Sequence, residues 1–255
     1  MTPVGPSSLP ATDRAPGAPL DDAPARALVA AKLLHQQRTA PGAWRSPRAW
    51  AWMLLAVLLS VVADLGSKQW AFETVAGRAV VVDRAQVMYV KEKIDPRAIT
   101  QELIPPHSPM TVVPGVLDFQ LVLNPGAVFG VGPGKRLFFI GFTALALGFS
   151  LLMFARWTKA PDRVAHLGIG LVIGGGLGNL YDRVLYACVR DFIHPLPGLM
   201  WPGNLSILGN REVWPYVSNL ADLFLLIGIA ILLVHLWRRD AAMERAVKDI
   251  AAAGG

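Results

Sequence analysis

Leu137 to Ala155 is a run of nineteen residues without a single charge. A helix over such a run reaches about 30 Å, the thickness of bilayer hydrocarbon. Three further runs approach that length. The first covers about residues 49–67 with only Asp64 interrupting; the third covers 164–181 and carries His166; the fourth covers 213–237 and carries Asp222 and His235. Apolar residues make up 53% of the 255-residue chain and charged residues 16%, a balance foreign to soluble domains. The expected fold is therefore an α-helical membrane protein with four transmembrane helices, a small extracytoplasmic β-structure and loop insertions.

Lys and Arg at the span ends set the expected orientation. Arg38, Arg45 and Arg48 precede the first span. Arg156, Lys159 and Arg163 fill the short second connection, and Arg238 and Arg239 follow the fourth span. These regions are expected to share the cytoplasmic side, with both termini inside. This distribution explains the net charge of +6 without nucleic acid, for which no motif exists. Residues 1–47, rich in Pro, Ala, Ser and Gly, read as a disordered cytoplasmic arm. Residues 48–239 read as the membrane domain and 240–255 as a cytoplasmic tail. In the long outer segment, Thr111 to Val131 suggests β-structure closed by a turn at Asn124-Pro125-Gly126. Residues 73–110 give no clear pattern.

Carboxylates in or beside a span are expensive and mark function. The orientation gathers Asp64, Asn124, Asp191 and Asp222 at one membrane face. Gly175, Asn179 and Arg183 repeat every four residues and share a helix face. Gly170, Gly174 and Gly178 are small-xxx-small steps that suit close helix packing. Asn219 and Asp222 are three apart, so Asn219 can also serve as an N-cap. Two acids close together in low dielectric share a proton, one acting as acid and the other as base. Such a pair activates water against an amide. The single cysteine, Cys188, excludes an internal disulfide, and no His/Cys spacing suggests a metal. No cofactor is implied.

Four blocks resemble lipoprotein signal peptidase, the signal peptidase II family. They are Asp64-Leu-Gly-Ser-Lys68, Asn124-Pro-Gly-Ala-Val-Phe-Gly130, Gly175-Gly-Leu-Gly-Asn179-Leu-Tyr-Asp182-Arg183 with Val189-Arg-Asp191-Phe192, and Asn219-Leu-Ala-Asp222. The resemblance implies an aspartic endopeptidase of the plasma (inner) membrane. It implies removal of signal peptides from diacylglyceryl-modified prolipoproteins at the outer face, among membrane lipids, with inhibition by globomycin. It makes Asp191 and Asp222 the catalytic pair. Asn124, Gly126, Asn179, Arg183 and Asn219 become substrate-site or supporting residues, with further support from Asp64 and Lys68. Departures include Leu65 in place of the family's Gln, Ser218 in place of its Phe, and Ala187 or Cys188 in place of its Gly. Inserts at about 73–110 and 194–212 are expected to form a lid, with Trp201 and Trp214 as interfacial anchors. The alternatives are a non-enzymatic polytopic protein, such as a proton-relaying transporter subunit, and a catalytically inactive homologue. Four spans without an inverted repeat fit a transporter poorly.

Overall fold

The computed structural model describes residues 23–126, 136–203, 205–207 and 209–253. Within them, four helices are long and apolar enough to cross a membrane: Pro47–Thr74, Leu137–Trp157, Arg163–Leu185 and Leu220–Ala251. The element order is α1 (Ala23–Thr39), α2 (Pro47–Thr74), α3 (Arg84–Lys93), α4 (Ile99–Leu103), β1 (Met110–Val113), β2 (Leu117–Asn124), α5 (Arg136–Trp157), α6 (Arg163–Leu185), β3 (Val189–Pro195) and α7 (Leu220–Ala253). The described residues within 40–238 form one compact unit, and residues 23–39 with 239–253 form another.

Two boundaries differ from expectation. Residues 23–39 are helical rather than disordered, because Ala, Leu, Lys, Gln and Arg dominate there and all favour helix. The remainder of the arm, 1–22, lies outside the described residues. The fourth span begins at Leu220 instead of residue 213. Pro215 denies a helix one backbone donor, and Asn219 supplies the start signal by accepting the Asp222 N–H at 3.1 Å. That helix then continues through most of the expected tail, to Ala253.

Glycine decides how the bundle packs. Lipid gives apolar helices little drive to associate, so close backbone approach and dispersion must supply it. A Cβ on Gly170 would lie 2.5 Å from the Met53 carbonyl oxygen, and one on Gly174 would strike Ser60 Oγ. One on Gly178 would strike the Asp64 carboxylate, and one on Gly175 the Ala221 carbonyl of α7. Thus α6 lies against α2 along one small-residue face and against α7 along another. The glycines are packing residues, and one of them also makes room for a carboxylate.

Above this bundle sits a three-stranded antiparallel sheet in the order β1-β2-β3. Asn124 ends β2 opposite Val189 of β3, and a turn follows it, in which Gly126 N–H donates to Asn124 Oδ1 at 3.0 Å and Gly126 has φ +99. The sheet's core is Leu121, Leu123, Val189 neighbours such as Cys188, and Phe192, packed on Phe72 of α2 and on Val87, Val90 and Ile99 of the 84–103 segment. The 84–103 segment packs beside β2 and shares the sheet's core. Residues 194–218 leave β3 and return to it, with Ser218 N–H donating to the Ile193 carbonyl at 2.8 Å.

Candidate active site

Asp191 and Asp222 arrive from different elements. Asp191 is the third residue of β3 and 1% exposed. Asp222 sits in the first turn of α7, where a carboxylate also suits the positive end of the helix dipole.

Asparagines join them. Asn219 Nδ2 donates to Asp191 Oδ1 at 2.6 Å and to Asn179 Oδ1 at 3.1 Å. Asn179 Nδ2 donates to Asp222 Oδ1 at 2.8 Å. Asn124 Nδ2 donates to Asp191 Oδ2 at 3.2 Å, while its own Oδ1 accepts from Gly126 N–H at 3.0 Å. Both oxygens of Asp191 are therefore held by amide donors. These asparagines orient the two carboxylates and, through the Asn219–Asn179 bond, one another. Burial first, and then the neighbouring Asp222 charge, raise Asp191 to about 8 against the lowering pull of Asn219.

Below the pair lies a buried ionic layer. Lys68 and Asp64 are one helical turn apart, both wholly buried, at 2.7 Å. Lys68 Nζ also donates to Asn179 Oδ1 at 3.1 Å and lies 3.5 Å from Asp182. Because Asn179 Oδ1 accepts from both Lys68 and Asn219, its amide nitrogen must face Asp222. The amide orientation is thus fixed by its partners. Asp64 receives the Ala221 N–H at 2.9 Å, which ties α2 to the start of α7.

Arg190 is a participant that spacing alone did not reveal. Its guanidinium meets Asp182 at 2.9 Å, its backbone N–H donates to the same carboxylate at 3.0 Å, and its plane lies 4.5 Å from the Tyr186 ring. Strand alternation sends Arg190 toward α6 and Asp191 the other way. The signal was present in a charged residue immediately before Asp191. Arg183 donates to the Asn179 carbonyl at 3.2 Å and lies 5.6 Å from the Phe139 ring. Residues 127–130 of the second block lie outside the described residues.

Residues 56–238 match the family described as signal peptidase (SPase) II. The chain belongs to the signal peptidase II family. It is accordingly an aspartic peptidase acting on prolipoprotein signal peptides, and the transporter alternative is set aside. A lipoprotein signal peptidase of Halothermothrix orenii is 32% identical over 161 residues, covering 63% of this chain and 91% of that protein. Another from Symbiobacterium thermophilum is 31% identical over 130 residues, covering 51% of this chain and 76% of that one. A solved bacterial membrane enzyme is 23% identical with a TM-score of 0.49, covering 73% of this chain and 87% of that chain.

Proposed function

We propose that Asp191 and Asp222 are the catalytic dyad of this signal peptidase II, and that the substrate is a diacylglyceryl-modified prolipoprotein. The asparagine relay carries the reading: Asn219 and Asn179 connect the two carboxylates through bonds of 2.6, 3.1 and 2.8 Å. Two acids from separate elements share one set of orienting amides.

The chemistry follows from their difference in environment. Asp191, raised to about 8 chiefly by burial, keeps its proton at neutral pH and is the acid. Asp222, less buried, is the base. Water loses a proton to Asp222 as its oxygen bonds to the scissile carbonyl carbon, and Asp191 gives its proton to the carbonyl oxygen. When the tetrahedral intermediate collapses, the C–N bond breaks and Asp222 returns its proton to the leaving amine. Asp191 recovers a proton from the hydroxyl as the new carboxyl group forms. The cycle balances without a cofactor.

Lys68, paired with Asp64, holds Asn179 from beneath, and Arg183 with Gly126 completes the supporting set. We also place the dyad at the outer face of the plasma membrane with both termini cytoplasmic. Ala43 N–H donates to the Thr158 carbonyl at 3.1 Å, and Ala160 N–H to the Pro41 carbonyl at 2.9 Å. That pairing brings Arg45 and Arg48 to the same end of the bundle as Lys159 and Arg163, in support of the positive-inside orientation. A globomycin-type inhibitor is expected to bind at the dyad.

The test is cleavage of a lipidated prolipoprotein by protein reconstituted in vesicles. Asp191→Asn and Asp222→Asn should each lose at least about a thousandfold, since neither acid alone completes the proton cycle. Cleavage surviving either change at near wild-type rate would refute the dyad. An inactive wild-type protein would instead favour a homologue that has lost catalysis.

A further inference from the structure

The 84–107 segment reaches the dyad through the open edge of β2. Strand β1 pairs with β2 only from Leu117 to Phe119. Beyond Phe119 no strand lies beside that edge among the described residues, yet the backbone groups of residues 121, 123 and, one residue past the strand, 125 must be satisfied. Three side chains take the place of a strand. Leu121 N–H donates to His107 Nε2 at 3.3 Å. Leu123 N–H donates to Thr100 Oγ1 at 3.0 Å, and Thr100 Oγ1 donates to the Leu123 carbonyl at 3.1 Å. Lys91 Nζ donates to the Pro125 carbonyl at 3.1 Å. The two-residue spacing of the three sites is the strand's own period.

Lys91 does one thing more. It also donates to the Ala187 carbonyl at 2.8 Å. Ala187 has φ 61, a left-handed conformation that glycine adopts freely and alanine does not. It ends α6 and leads into β3, four residues before Asp191. One ammonium group therefore ties the residue after Asn124 to the entry of the strand that carries Asp191. Asn124 itself donates to Asp191 Oδ2 at 3.2 Å.

We propose that Lys91, Thr100 and His107 form a positioning brace for the dyad, a surrogate strand that holds Asn124 against Asp191. The proposal rests on the dyad reading above and assigns the insert a part in turnover. None of the three touches the reacting atoms. They act through Asn124, whose donor favours the ionised form of Asp191. Charged groups acting on Asp191 from the elements around it include Asp222 of α7, Lys68 of α2 and Arg183 of α6.

Lys91→Met combined with Thr100→Val tests it in the reconstituted cleavage assay. The expected result is a kcat reduced about tenfold, the worth of one charge-assisted hydrogen bond, with KM little changed. The alkaline limb of the pH–rate profile should move to higher pH, because Asp191 loses the donor that lowers it. Asn124→Ala should reproduce that profile, and adding the brace substitutions to it should cost nothing further. Lys91→Arg should recover most of the lost rate. Wild-type kcat and pH profile in the double variant would overturn the proposal. So would a rate loss with an unmoved profile, or losses that multiply with Asn124→Ala. If the double variant fails to fold, Lys91→Met alone is read by the same criteria. Asp191→Asn, run alongside, separates the two claims: its activity would sink the dyad, whereas a silent brace beside an inactive Asp191→Asn sinks only the brace.

Discussion

Lys68→Met isolates the buried ionic layer beneath the dyad. Methionine keeps most of the lysine stem volume, so little cavity forms and the loss is the ammonium group itself. Three acceptors feel that loss: Asp64 at 2.7 Å, Asn179 Oδ1 at 3.1 Å and Asp182 at 3.5 Å. They are not hurt equally. Asp182 keeps Arg190 at 2.9 Å, and Asn179 Oδ1 keeps the Asn219 amide at 3.1 Å. Asp64 keeps only the Ala221 N–H at 2.9 Å among its described hydrogen bonds, so the charge left uncompensated is Asp64's. Removing one partner of a buried pair costs about 3–5 kcal/mol. For a domain of this size that corresponds to a fall in Tm of roughly 6–20 °C. Asp64→Asn/Lys68→Met removes both charges with little change of shape, and it should recover all but about 1–2 kcal/mol. Thermal unfolding in detergent, followed by tryptophan emission, measures wild type, Lys68→Met, Asp64→Asn and the double variant. A Lys68→Met protein that melts within a degree or two of wild type would refute the argument. So would a double variant whose loss equals the sum of the singles, because the penalty would then not come from an unpaired charge.

Three further outcomes are expected. Gly178→Ala should destabilise by about 1–3 kcal/mol through overpacking, because its new Cβ meets the Asp64 carboxylate. Gly66→Ala, with nothing within 4 Å of the new Cβ, should be neutral or gain up to about 1 kcal/mol of helix propensity; equal melting shifts for the two would contradict the packing argument. The cleavage rate should fall as pH rises through about 8, where Asp191 loses its proton and the dyad becomes doubly negative; a rate still rising at about pH 9 to 10 would show that Asp191 is not the acid. Cys188 is buried and its thiol is pushed up to about 12, chiefly by burial, so it should ignore a maleimide at neutral pH. Ser206→Cys should then label from outside intact cells and Met243→Cys only after permeabilisation, and the reverse pattern would invert the proposed orientation.

What the sequence made legible follows physical lines. Spans are legible because hydrocarbon allows only long uncharged helices, so Leu137 to Ala155 leaves no other reading. The acids were legible because a carboxylate beside such a run needs a reason. Gly170, Gly174 and Gly178 revealed a packing face through their spacing, but not that Gly178 opens room for Asp64. That fact belongs to α2 and becomes visible only when two helices are set side by side. The start of α7 shows the competition between signals: apolar character suggested residue 213, while the Asn219 cap and Pro215 determine Leu220. The 84–107 segment was the least legible. Its side chains form no repeat because they answer to the period of another element, the open edge of β2 at residues 121, 123 and 125. Lys91, Thr100 and His107 are spaced by nine and seven residues in the chain, yet they serve acceptors and donors two residues apart. A surrogate strand made of side chains therefore leaves its periodicity in the strand it supports, while along the insert its polar members fall without a pattern among the core residues Val87, Val90 and Ile99.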